Sequence, residues 1–209
     1  ADLRIENNIF KWESGNIPNN GIWNNGAVAY INNNTFNGIK GTGDALEGVI
    51  KTENTSDYTV ITNNIIDVCT NINGIRADNA LIFANKNYIN ITQTLSNMNA
   101  LVFASMTDGW IGNNMLIGTN IFGMHVHYSK DFNAIYNSFE TYGTRPSVHT
   151  IDANFNLQRN IFVNNGTGYN YDITGGTPFL MENVHYNAAG TLARVNGTIY
   201  NTVADLNNA

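Results

Sequence analysis

The chain has 209 residues with a formal net charge of −6; only 12% are charged, 43% are hydrophobic, and 39 are asparagine. Sparse charge with abundant Ile, Val, Phe and Tyr excludes a charge-driven disordered chain. Ten Lys plus Arg with no basic run make nucleic acid and anionic membrane surfaces poor partners, and no apolar run reaches the ~18 residues of a membrane-spanning helix.

Along the chain one short unit keeps returning. It opens as Ile5-Glu6-Asn7-Asn8-Ile9-Phe10 and recurs as Ile31-Asn32-Asn33-Asn34-Thr35-Phe36. A looser stretch, 48–52, follows, and then Ile61-Thr62-Asn63-Asn64-Ile65-Ile66. The alternation continues with a loose stretch at 74–78, a weaker copy at 83–88, a loose stretch at 100–104 and a strong copy at 111–116. Loose stretches at 123–127, 147–151 and 170–174 then interleave with weaker copies at 134–139, 157–162 and 181–186. The eight copies end at 10, 36, 66, 88, 116, 139, 162 and 186, a spacing in the range of solenoid repeats.

Each copy is an apolar residue, a polar pair usually holding Asn, and then a large apolar residue. This has the period of two short strands around a corner and no helical stripe. Asn suits the corner because it tolerates left-handed backbone angles, and stacked Asn amides can bond from coil to coil. The loose stretches read as a third strand per coil. Alternation puts Val49, Ile75, Leu101, Met124, Val148 and Tyr171 inward, and Thr52, Arg76 with Asp78, Val102 with Ala104, His125 with His127, His149, and Asp172 with Thr174 outward. Asn-Gly pairs such as Asn73-Gly74 are also hairpin signals, but the shared register of the Asn motif argues against an antiparallel sandwich. The expected fold is therefore all-β: a parallel β-helix solenoid of about eight coils with an Asn-rich corner ladder, one domain over 1–209, belonging to a longer protein, with the start of a cap at 203–209.

This repeat resembles that of the right-handed parallel β-helix, or pectate-lyase-like, superfamily. The stretch Asn183-Val184-His185-Tyr186-Asn187 with 196–206 is similar to the last coils of secreted bacterial carbohydrate-active β-helix proteins. The resemblance implies an extracellular protein, or one on a cell or virion surface, that binds or processes polysaccharide, with elimination on a uronate-containing glycan as its chemistry. The superfamily also holds non-catalytic tailspike and adhesive modules, which here would self-associate or join further domains through open coil ends.

Three of the four histidines fall on the outward strip. His125 and His127 should point the same way from one strand, with His149 one coil, about 4.8 Å, away. Such imidazoles can act as acid or base near neutral pH, or ligate a transition metal if a further ligand closes the site; none is assigned as a metal ligand here. The resemblance implies His125, His127 or His149 as base, Arg76 or Arg145 as carboxylate clamp, and Asp78 and Asp172 as cation ligands or substrate contacts; Tyr128 and Tyr142 offer substrate-stacking surfaces for sugar rings if they lie in loops. No cofactor is evident, and Ca²⁺ enters only through the resemblance: Asp78 and Asp172 lie four coils apart, about 19 Å, too far to share an ion.

Overall fold

The structure is a computed structural model and describes residues 2–12, 20–44, 46–95 and 99–207. Nearly every element is a strand, and the strands belong to three sheets of eight, eight and nine members. The first sheet runs from Leu3–Glu6 to Pro178–Met181, the second from Ile9–Lys11 to Val184–Asn187, and the third from Asn20–Asn25 to Ala193–Val195. Within each sheet every strand pairs in parallel with the strand one coil later, so the chain winds through the three sheets in turn about eight times. The molecule is a parallel β-solenoid. Its last hairpin departs from the pattern: Thr198–Tyr200 folds back antiparallel onto Ala193–Val195. The helix Val203–Asn207 follows, with Thr202 Oγ1 accepting from the Asp205 N–H at 3.1 Å and the Asp205 carboxylate accepting from the Thr202 backbone N–H at 3.2 Å, a capping-box exchange. Leu206 packs against the core; residues 208–209 of the expected cap lie outside the described residues.

The corner between the first two sheets explains the Asn excess, with two jobs divided between adjacent positions. The fourth residue of the motif is Asn in all eight coils: Asn8, Asn34, Asn64, Asn87, Asn114, Asn137, Asn160 and Asn183. Each Asn Oδ1 from Asn34 onward accepts the backbone N–H and the Nδ2 of the ladder Asn one coil earlier, at 2.9–3.1 Å. The residue just before it carries the left-handed backbone, with φ between 54° and 60°, and is Asn7, Asn33, Asn63, Lys86, Asn113, Tyr136, Arg159 or Glu182. The hydrogen-bonding position needs Asn; the left-handed one does not.

The register also corrects two copies of the motif. Ala84, not Phe83, aligns with Ile61 and Ile111, and Leu180, not Met181, aligns with Leu157. The inward residues that follow the corner are therefore Ile89 and His185 rather than Tyr88 and Tyr186. They complete a buried row in which Phe10 stacks on Phe36, Phe139 on Phe162, and Phe162 on His185, at centroid distances of 4.7, 4.8 and 5.5 Å. Each aliphatic or aromatic side chain fully buried in such rows contributes about 1.5–3 kcal/mol. Cys69 lies in this core, its thiol pushed up to about 12 by burial.

On the third sheet the expected inward residues Val49, Ile75, Leu101, Met124, Val148 and Tyr171 are all in the core. The outward assignment is wrong for Thr52, Val102 and Ala104, which are fully or almost fully buried and point inward. Two successive inward residues open these strands, as in Val49-Ile50 and Leu101-Val102, so period-2 alternation starts one position later than the sequence suggests. At the corresponding corner Gly123 leaves no room for a side chain, since a Cβ there would stand 2.4 Å from Ser147 O and 3.0 Å from Phe139 Cδ1. Thr52 instead joins an internal polar cluster with Asn24 and Thr59, bonded at 2.9–3.3 Å.

Candidate functional site: the outer face of the third sheet

Corrected for this slip, one outward row reads Trp23, Lys51, Arg76, Phe103, His125, His149, Asp172, Arg194, each residue opposite the next in adjacent parallel strands. The neighbouring outward row, two residues further along each strand, carries Glu53, Asp78, Ser105, His127, Ile151 and Thr174. Spaced by about 4.8 Å, these side chains form a linear strip along the solenoid axis.

The three histidines meet at its centre. His125 and His127 share the strand Phe122–His127, and His149 lies opposite His125 in the register. The His125 ring centroid is 4.0 Å from that of His127 and 4.5 Å from that of His149, and the Nε2 atoms of His125 and His127 face each other within hydrogen-bonding distance. His125 is fully buried; His127 and His149 are half-buried. Phe103 and Phe122 wall the group, with centroids 5.2 and 4.8 Å from His125. Burial lowers His127 below the usual imidazole range, and the Arg76 charge adds to this. His149 is also lowered, chiefly by burial; the Asp172 carboxylate, 4.0 Å from its Nε2, pulls the other way, while His127, Arg194 and Arg145 reinforce the lowering. Both therefore favour the neutral ring at pH 7.

The other predicted residues separate into three groups. Arg76 and Asp78 bind each other through two hydrogen bonds of 2.6 and 2.9 Å, and the Arg76 guanidinium lies 4.3 Å over the Phe103 ring. Arg145, in the turn before Val148–Ile151, lies 4.9 Å over the Phe122 ring. It lines, with His149, Asp172, Arg194, Tyr169 and Phe122, an open cleft of about 310 Å³. Asp172 is held there by Arg194 through bonds of 2.8 and 2.6 Å. Tyr128 is exposed at the strand exit, with its centroid 5.9 Å from that of His127. Tyr142 belongs to the second sheet, where its hydroxyl donates to Glu140 Oε1. The carboxylates of Asp78 and Asp172 each face a guanidinium and lie four strands apart by register, so the two do not fit a shared Ca²⁺ site.

Sequence reasoning missed Phe103, Phe122, Tyr169 and Arg194. Arg194 was the most legible of them, since Ala193-Arg194-Val195 repeats the in-out-in pattern of Tyr171-Asp172-Ile173 one coil later. Fold and site thus define the class: a parallel β-solenoid bearing an aromatic-walled histidine cluster flanked by arginine–carboxylate pairs. No protein family, curated protein or solved structure matches the chain.

Proposed function

We propose that this is an extracellular or surface protein of pectate-lyase-like kind that binds a uronate-containing polysaccharide along the outer face of the third sheet. The observation that carries this reading is the cleft in which Arg145 and Arg194 flank His149 against the rings of Phe122 and Tyr169. Guanidinium groups match carboxylate oxygens in charge and fork geometry, and aromatic faces suit the apolar faces of sugar rings. The chemistry that fits is β-elimination. Neutral His149 takes the proton from the carbon alpha to the uronate carboxylate, and Arg145 offsets charge developing on the carboxylate oxygens. The electron pair forms the carbon–carbon double bond as the glycosidic C–O bond breaks, and the departing oxygen takes a proton from solvent. Arg145 rather than Arg76 takes the clamp role because it lines the cleft beside His149.

A panel of acidic polysaccharides, scored for binding by calorimetry and for turnover by the absorbance of unsaturated uronate, tests both parts. Binding weakened by Arg145→Ala and turnover abolished by His149→Ala are expected; no binding to any acidic glycan would sink the reading. A second reading, a structural or adhesive module without catalysis, draws on the strands Leu3–Glu6, Ile9–Lys11 and Asn20–Asn25, each paired on one side only among the described residues. Concentration-dependent assembly in light scattering without glycan binding would favour it.

A further inference from the structure

The histidine cluster carries an inference that does not depend on glycan binding and is an alternative use of His149, since an imidazole lone pair given to a metal ion cannot also take a proton. The nitrogen atoms that His125, His127 and His149 can offer as ligands all lie within 4.8 Å of one another. Two come from alternate positions of one strand and the third from the residue directly across the ladder, so the rigid sheet fixes the three Cα positions. We propose that these imidazoles form a three-nitrogen site for a divalent transition-metal ion of the zinc class, with the fourth position open to solvent.

The geometry suits such an ion. With metal–nitrogen bonds of about 2.0–2.1 Å, ligand nitrogens around a tetrahedral ion stand about 3.3 Å apart. His125 and His127 already bring their Nε2 atoms together, and the rest of the closure needs only rotation of the half-buried His127 and His149 side chains. The surroundings suit it too. Phe103 and Phe122 cover one side of the cluster, so the ion would exchange few waters there. The nearest charges come largely in pairs, Arg76 with Asp78 and Arg194 with Asp172, and the Arg145 guanidinium lies over the Phe122 ring. Asp172, oriented by Arg194, places its carboxylate 4.0 Å from His149 Nε2, a charge contact rather than a hydrogen bond, which adds negative charge beside the cluster. A set of imidazoles with no oxygen ligand selects Zn²⁺, Co²⁺, Ni²⁺ or Cu²⁺ over Ca²⁺ and Mg²⁺. A simple solvated strand face would leave its histidines in water; here the central one is fully buried beneath two aromatic rings and two other imidazoles.

The test uses the chain purified without a histidine tag and stripped with a chelator. Co²⁺ is titrated at pH 7.5 while its visible d–d bands are followed, and Zn²⁺ competes against a chromogenic chelator. One equivalent of Co²⁺ with intense, tetrahedral-type bands is expected, displaced by Zn²⁺ and unaffected by Ca²⁺ or Mg²⁺. His127→Gln and His149→Gln, both at half-buried positions, should each weaken binding by at least about tenfold, the lower end of what even an outer-shell loss costs. Circular dichroism confirms that each variant is folded, and His185→Gln, which alters the remaining histidine, should keep the affinity. Absence of stoichiometric Co²⁺ binding, or unchanged affinity in folded His127→Gln and His149→Gln proteins, would overturn the site.

Discussion

Truncating a central rung of the asparagine ladder should be far more costly than its surface chemistry suggests. Asn114 is 3% exposed and makes four side-chain bonds: its Oδ1 accepts from Asn87 N at 2.9 Å and from Asn87 Nδ2 at 3.0 Å. Its Nδ2 donates to Ala84 O at 3.1 Å and to Asn137 Oδ1 at 2.9 Å. In Asn114→Ala the Asn87 amide side chain keeps its bond to Ile61 O, but the Asn87 backbone N–H loses its acceptor inside the corner. A buried orphan of that kind costs about 1–3 kcal/mol, and loss of the Ala84 bond adds about 1 kcal/mol, so a total near 3 kcal/mol is expected. Asn8→Ala removes an exposed end rung with bonds only to Glu6 O and Asn34, and should cost less than about 1 kcal/mol. Lys86→Gly, at φ 56°, trades left-handed strain against the entropy of glycine and should fall within about 1 kcal/mol of zero. Urea unfolding followed by far-ultraviolet circular dichroism, with slopes compared to check that the transition stays cooperative, measures all three. Equal costs for Asn114→Ala and Asn8→Ala would refute the view that the ladder acts by satisfying buried backbone groups.

Two further outcomes follow from the histidines. His185 closes the aromatic row, stacked on Phe162 and sharing a hydrogen bond of 3.2 Å with the Tyr171 hydroxyl, and burial lowers it to about 4. With His127 and His149 also lowered, the unfolded chain binds protons first, so stability is fully present above pH ~6.5 and is lost as pH falls toward 4. After allowance for partial exposure, His185 accounts for about 2 kcal/mol of that loss, and stability in chelator that stays flat from pH 7 to 4.5 would contradict it. Asp172→Asn removes the one charge that raises His149, so an NMR titration should find the His149 midpoint lower than in the parent; a rise would reverse the assigned electrostatics.

The architecture was legible because parallel stacking makes one corner recur, and a corner leaves a chemical signature. Register was less so. At Asn85-Lys86-Asn87 two asparagines offer two frames, and only the coil-to-coil bonds of Asn87 choose between them. Near the end the inward residue is the polar His185 while its neighbour Tyr186 is exposed, which inverts the usual cue. On the third sheet, two consecutive inward residues shifted the outward strip and hid Phe103, yet left His125, His127 and His149 in place because alternation recovers before them. Arg145, which lines the cleft, was named only through the family resemblance, since a turn residue carries no periodicity.

The separation of duties at the corner has an engineering consequence. The left-handed position already tolerates Asn, Lys, Tyr, Arg and Glu while its ladder neighbour stays fixed. It behaves as a display rail: a file of eight side chains of varied chemistry at a pitch of about 4.8 Å, which can bond along the file, as Arg159 does to Glu182 and Tyr136, while the ladder beside it holds the frame.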